Sequence, residues 1–215
     1  MLQSLMLFLQ IMATPPVQRE LSFRERRAIE SSRSSYYALR QDDRGEFLHA
    51  EFRPGDDPVK EALVLPEADR HGHFDLSWRW RVLTLPAGGN DCVPDKTDSA
   101  ASVYVAWRRG LRWYGLKYTW SSVGPLGAIC DKRDNPFLRG DAVIMETGGP
   151  LNVWREEHID IDAEFRHHFA NGDPSVDIPE LIGIAVLTNG ANTRSPASAD
   201  YGSIILTAHP PARTP

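Results

Sequence analysis

A run of strictly alternating side chains constrains this sequence more than any other feature. In residues 76–82 every second residue is apolar, and the residues between them are one serine and two arginines. Successive side chains of a β-strand point to opposite faces of its sheet. We therefore expect a strand with Trp78 and Trp80 facing a core, whereas Arg79 and Arg81 face solvent or a groove.

Short segments rich in β-forming residues, separated by turns, make up most of the remaining sequence. The polar residues 42–45, which end in glycine, indicate one hairpin turn, and Gly110 indicates a second. The strands expected beside the one at 76–82 are 35–40, 46–52, 99–107, 112–121, 142–147, 181–187 and 203–207.

One helix interrupts these strands. Either Asp160 or Asp162 is suited to cap its start, and Asn171-Gly172 is suited to end it. Apolar residues recur at four-residue spacing on one face, and we expect that face to cover one edge or end of the sheets. These residues are Ile161, Phe165 and Phe169.

Strands spaced by turns, with a single helix, favour a mainly antiparallel β-sandwich of the jelly-roll kind over alternating α/β units. A chain of 215 residues is long enough to bury a core of its own. The expected organisation is an N-terminal tail or weak signal segment at 1–33, one β-sandwich domain at 34–208 and a C-terminal tail at 209–215. Within the first segment, residues 13–33 are polar and indicate a linker or a short helix.

Charge and hydropathy narrow the expected partners and the location. The formal net charge is −5 and the cations are scattered, so nucleic acid is not an expected partner. Residues 1–12 are apolar but too short to span a bilayer, and no other run approaches that length. They resemble the core of an export signal without its usual basic residue in front. We therefore expect a periplasmic or secreted protein, with a cytoplasmic one as the alternative.

The two cysteines have positions that allow them to meet. Cys92 and Cys130 lie about equally far from the turn at Gly110, beyond the open end of the hairpin that this turn closes. Such a placement allows a disulfide in an oxidising compartment. The alternative is two unpaired thiols in loops.

Catalytic and metal-binding motifs are weak. The sequence has no nucleophile elbow, phosphate loop or dinucleotide fingerprint, and no cofactor is expected. His71 and His73 are too few for a usual metal site. Three glutamates leave open a polysaccharide hydrolase, which needs two suitably spaced carboxylates. They are Glu146, Glu156 and Glu157.

Several segments, in order, resemble an uncharacterised bacterial family, domain-of-unknown-function family 3047. The resemblance runs from about Tyr36 to Ile205, and its most distinctive part is the tryptophan-arginine run. It implies a galactose-binding-type β-sandwich, a shape that often serves carbohydrate recognition, and an exported protein. The segments that carry it are 76–82, 97–105, 118–122, 135–136, 154–169 and 192–193.

The sequence departs from the family pattern near its end. Relatives carry acidic residues where this chain has Asn189, Ala191 and Ser203. If those carboxylates hold a hard cation such as calcium in relatives, this chain should bind it poorly. If they close turns, asparagine and glycine serve equally well.

Together these observations favour a non-catalytic binding module for a carbohydrate or another cell-envelope component. The alternatives are the hydrolase and a structural or protein-interaction domain. Aromatic rings on an exposed sheet face can stack on sugars while arginine and asparagine make polar contacts. The residues expected to line a ligand site are Arg79, Arg81, Asp98, Trp113, Trp120, Asn192, Arg194 and Tyr201.

Overall fold

Two β-sheets packed face to face form the protein. The computed structural model describes residues 15–29 and 35–210, with the backbone alone of Asp131 and Lys132. The strands are β1 (Val17–Leu21), β2 (Arg27–Ile29), β3 (Tyr37–Asp42), β4 (Gly45–Phe52), β5 (Lys60–Val64), β6 (His73–Thr84), β7 (Ala101–Arg109), β8 (Arg112–Ser121), β9 (Ile129–Asp134), β10 (Leu138–Thr147), β11 (Arg155–Asp160), β12 (Glu180–Leu187) and β13 (Ala197–His209), with one helix, α1 (Ile161–Phe169).

The first sheet has six strands in the order β11-β6-β13-β4-β3, with β1 also paired to β13. The second has seven, in the order β2-β5-β12-β7-β8-β10-β9. All pairs are antiparallel except β8 with β10, which run parallel. The predicted β-sandwich is therefore confirmed, with one parallel pair that the sequence did not indicate.

Aromatic side chains from both sheets meet in the core. The ring centroids of Trp78 and Tyr118 are 5.5 Å apart, and those of Trp80 and Trp120 are 5.8 Å apart. All four side chains are buried. The alternation in residues 76–82 therefore does place the tryptophans between the sheets, where each ring removes a large apolar area from water.

The two arginines of this run do not both face solvent. Arg79 is buried, because Trp154, in the segment before β11, lies against the outer face of the six-stranded sheet. The guanidinium carbons of Arg79 and Arg81 lie 4.4 and 4.6 Å from the Trp154 ring centroid. The backbone N–H of Asn152 donates to the carbonyl of Val82 at 2.7 Å, which holds the segment in place.

The helix begins and ends as the sequence predicts. The Asp160 carboxylate accepts from the backbone N–H groups of Asp162 and Ala163, and α1 ends at Phe169. Its buried face packs Phe165 on Trp107, with centroids 5.4 Å apart. The helix thus covers the core beside β7, as an amphipathic helix of this length should.

The prediction of a linker or short helix for 13–33 holds only at Phe23–Glu25, which form a short 3-10 helix, and is wrong for the segments on either side. Val17–Leu21 and Arg27–Ile29 are strands, and each adds to one sheet by pairing with a strand far along the chain. The predicted export segment, residues 1–12, lies outside the described residues. No helix in the described part of the chain is long and apolar enough to cross a membrane.

A bulge interrupts the pairing of β13 with β6. Tyr201 pairs with Trp80 and Ile204 with Trp78, so that Gly202 and Ser203 stand opposite Arg79 alone. A Cβ at Gly202 would lie 2.3 Å from both Cγ and Nε of Arg79. The glycine therefore leaves the space into which the buried arginine fits.

We expect Gly202→Ala to lower the free energy of unfolding by about 1–3 kcal/mol, because the added methyl group overlaps a buried side chain. Gly115→Ala is the matched control, since a Cβ at Gly115 meets no atom within 4 Å. Urea denaturation of both variants measures the difference. Equal stability of the two would contradict this account of the bulge.

Candidate functional site

A row of small residues crosses the outer face of the seven-stranded sheet. Ala106 of β7 pairs with Gly115 of β8, which pairs with Gly140 of β10. Paired residues lie on the same side of a sheet, and the next residue along β8, Leu116, points into the core. The row therefore forms a depression on the opposite, outer face.

A groove of about 360 Å³ opens over two residues of this row, Gly115 and Gly140. Its floor lies on β7, β8 and β10, the strand β5 borders one side, and β9 borders the other. Polar and charged side chains make up much of its wall. The lining residues are Pro58, Lys60, Asp91, Thr97, Tyr104, Gly115, Lys117, Arg133, Leu138, Gly140, Asp141, Ala142, Leu187 and Asn189.

One wall is the loop between β6 and β7, which is fixed to the sheet by buried polar contacts. The Asp91 carboxylate is buried and accepts from Lys117 Nζ at 2.5 Å and from the Ser99 hydroxyl. Ser121 Oγ donates to the carbonyl of Gly89 at 2.9 Å. Removal of either partner would leave a buried carboxylate incompletely paired, which is costly.

A disulfide ties the same loop to the edge of the sheet. Cys92 and Cys130 are bonded in the structure, with their Cα atoms 4.7 Å apart. Cys92 follows Asp91 directly, and Cys130 lies on β9, the strand that carries Arg133. The disulfide therefore joins two walls of the groove.

Aromatic rings lie in the groove and at one end of it. Tyr104 pairs with Lys117, and the ammonium groups of Lys60 and Lys117 lie 5.5 and 5.9 Å from its ring centroid. Trp113 pairs with the groove residue Leu138. Trp113 and Phe137 are 41% and 66% exposed, so two rings beside the groove are open to solvent.

The predicted site residues do not all come together. Trp113 is on the groove's sheet face, opposite to the face of the buried Tyr114. Arg79 and Arg81 lie on the outer face of the other sheet, where Arg81 Nε donates to the Asp200 carboxylate at 2.6 Å. His49 contacts the other oxygen of this carboxylate at 2.6 Å.

Trp120 and Tyr201 lie in the core, so the structure does not bring them to a surface site. Trp120 Nε1 donates to the carbonyl of Gly148 at 2.8 Å. The Tyr201 hydroxyl donates to the carbonyl of Leu187 at 2.8 Å and lies 2.9 Å from Thr188 Oγ1. Burial raises the pKa of Tyr201 far above its usual value. Both side chains hold the two sheets together.

Asp98 holds the turn that carries Asn192 and Arg194. Its fully buried carboxylate accepts from the backbone N–H groups of Asn192 and Thr193, at 3.3 and 2.6 Å. Arg194 is exposed. Asn192 Nδ2 donates to Thr97 Oγ1 at 2.8 Å, and Thr97 lines the groove, so this turn borders the site.

Of the positions where the family resemblance implies acidic residues, Asn189 closes a turn in this chain. The Asn189 side chain accepts from the N–H of Ala191 at 2.9 Å, which is an Asx-turn. Ser203 lies in the β13 bulge. Among the residues that the structure describes, no three of His, Cys, Asp and Glu are placed to hold a metal ion.

Two of the three candidate glutamates, Glu146 and Glu157, repel each other electrostatically. Glu157 accepts from Trp80 Nε1 at 3.2 Å, and its pKa is raised by burial and by repulsion from Glu146. Glu156 points away, to the outer face, where Arg44 donates to it at 3.0 Å. Neither Glu146 nor Glu157 lines the groove.

Sequence reasoning missed the residues that build the groove. Tyr104, Lys117 and Asp91 lie on different elements, and nothing in their spacing joins them. Gly115 did carry a signal, because a glycine inside a strand of β-forming residues often marks the close approach of a ligand or another backbone.

Two solved structures are similar to this chain. The xyloglucanase domain of NopAA, a type three effector from Sinorhizobium fredii solved with cellobiose, is 9% identical with a TM-score of 0.39, covering 90% of this chain and 96% of that one. The family GH12 endoglucanase 3 of Trichoderma harzianum is 8% identical with a TM-score of 0.38, covering 86% and 95%. No curated protein matches the sequence.

The tryptophan-arginine run and the segments that accompany it lie within the span of one family match. The model of the family described as "Protein of unknown function (DUF3047)" matches residues 23–205, and the chain therefore belongs to this family.

Proposed function

We propose that the protein is a non-catalytic carbohydrate-binding module whose ligand lies in the groove of the seven-stranded sheet. The observation that carries the proposal is the open row of Ala106, Gly115 and Gly140 beside the Tyr104 ring. Small residues at these positions leave the sheet surface bare, so that a flat sugar ring can approach the backbone.

The groups around the row suit a sugar ligand. An aromatic ring provides an apolar face for the C–H groups of a pyranose, while amide, hydroxyl and charged groups bond its hydroxyls. Thr97 and Asn189 supply such groups on one wall. Tyr104 and Trp113 stand on opposite sides of the row. Trp113 and Lys117, the partner of Tyr104, are four positions apart on β8, which places the two rings roughly 13 Å apart along the strands.

We expect Gly115→Val to weaken oligosaccharide binding roughly tenfold or more, since its side chain would fill the groove floor. The change should not destabilise the fold, because valine suits a strand and the site is open. Titration calorimetry against neutral and acidic oligosaccharides measures the affinity. The control Ala38→Val places the same valine side chain on exposed β3 of the other sheet.

Tyr104→Ala should weaken oligosaccharide binding by about 0.5–1.5 kcal/mol, because it removes an aromatic ring that stacks on the sugar. Unchanged binding in both Gly115→Val and Tyr104→Ala, with the protein folded, would refute the proposed site.

A polysaccharide hydrolase is the second candidate. The observation that favours it is the pair of Glu146 and Glu157, because a carboxyl of raised pKa beside a second carboxylate is the arrangement of a general acid and its partner. It ranks second because this pair lies away from the groove lining. Release of reducing sugar from polysaccharides by the native protein, abolished in Glu157→Gln, would establish it.

The raised pKa of Glu157 makes a separate prediction. The pKa of this carboxyl is higher in the folded protein than its unfolded value of 4.5. The free energy of unfolding should therefore fall as the pH rises from about 4.5 through the folded pKa, because the folded state resists ionisation of the group. Glu157→Gln keeps an acceptor for Trp80 and does not ionise. Its stability relative to the native protein should therefore increase between acidic and neutral pH in denaturation series. A parallel pH dependence of the two proteins would argue against the raised pKa.

We also propose that the protein works in an oxidising compartment, as a periplasmic or secreted protein. The Cys92–Cys130 disulfide supports this, since such bonds persist mainly outside the reducing cytoplasm. The chain has two cysteines, so a thiol assay reads this bond directly. Protein from its native compartment should show no free thiol, and Cys92→Ser with Cys130→Ser should lower stability by roughly 2–4 kcal/mol. Two free thiols in the native protein would overturn the proposal.

A further inference from the structure

The charge of the groove differs from that of the whole chain. The formal net charge of the chain is −5, yet three cations line this one groove, namely Lys60, Lys117 and Arg133. Lys60 enters from β5, Lys117 rises from the floor on β8, and Arg133 stands on the edge strand β9. Cationic groups therefore approach the groove from both sides and from below.

The carboxylates with described side chains in the same lining are already engaged. Asp91 is buried and bonded to Lys117 and Ser99. Asp141 contacts His168 Nδ1 at 2.8 Å. Both oxygens of Asp91 and one oxygen of Asp141 are directed to these partners, which reduces the number of acceptors that a ligand can use.

From these charges we infer that the ligand is an acidic glycan, a chain of sugar rings that carry carboxylate or sulfate groups. The inference rests on the proposed carbohydrate site and specifies its ligand class. It does not require any of the three cations to lack a protein partner. An ammonium has three N–H donors and a guanidinium has five, so a group that contacts one carboxylate can still donate to a second anion.

The test compares oligosaccharides of equal length that differ in charge. Trigalacturonate, a sulfated trisaccharide and cellotriose are titrated into the native protein at about 0.05 M and about 0.5 M salt. We expect at least one acidic trisaccharide to bind more tightly than cellotriose and to lose affinity at high salt, because salt screens charged contacts. Which acidic ligand binds more tightly identifies the anionic group.

Charge-removing variants locate the effect. Lys60→Gln and Arg133→Gln should each lower the affinity for the acidic ligand roughly three- to tenfold and leave the melting temperature unchanged. Arg40→Gln, an equal charge change on exposed β3 of the other sheet, is the control and should have no effect. Lys117 is left intact, because its loss would leave Asp91 buried without its ion pair.

The outcomes separate this inference from the function on which it rests. One outcome is that cellotriose binds as tightly as the acidic ligands, without salt dependence, and that Gly115→Val still weakens binding. This result would overturn the inference of an acidic ligand but would still support the carbohydrate site. Binding of none of the three trisaccharides would overturn both. Equal losses in Arg40→Gln and Lys60→Gln would overturn the placement of the anion in the groove.

Discussion

Contact between aromatic side chains of opposite sheets is the interaction on which the rest of the structure depends. Trp78 and Trp80 of β6 meet Tyr118 and Trp120 of β8 across the interior. Large rings bury much apolar surface at a low cost in side-chain entropy, since each has two rotatable bonds. Because these rings fill the space between the sheets, alternate positions on both strands are free to face outwards, where Gly115 and Lys117 form the groove.

Period-two alternation made the sheet faces predictable. It identified the buried side of β6, and the spacing of aspartate, apolar residues and Asn-Gly identified the helix. Strands with many charged residues were missed, because β5 reads Lys-Glu-Ala-Leu-Val and β11 reads Arg-Glu-Glu-His-Ile-Asp. Those strands form because neighbouring strands supply their hydrogen-bond partners. The intrinsic β-propensity of the residues does not include this contribution.

The candidate site was harder to predict for a related reason. The groove joins side chains from β5, β7, β8 and a loop, whose proximity follows from strand order alone. The burial of Arg79 was equally hidden, since its cover, Trp154, lies far along the chain. Predicted site residues such as Asp98 and Tyr201 prove to be polar groups that fix turns and sheets. A polar or aromatic residue in a distinctive motif can therefore serve either binding or folding. Its burial in the structure distinguishes the two roles.

The position of β13 has a consequence for how the chain is assembled. This strand follows all the others in the described sequence, yet it lies in the middle of its sheet. It pairs with β6 along one side and with both β4 and β1 along the other. Until it is synthesised, those three strands have unsatisfied backbone donors and acceptors, the type of open edge that attracts other chains. The nascent polypeptide should therefore reach its native topology late, and a holding chaperone would have a definite surface to protect in the meantime.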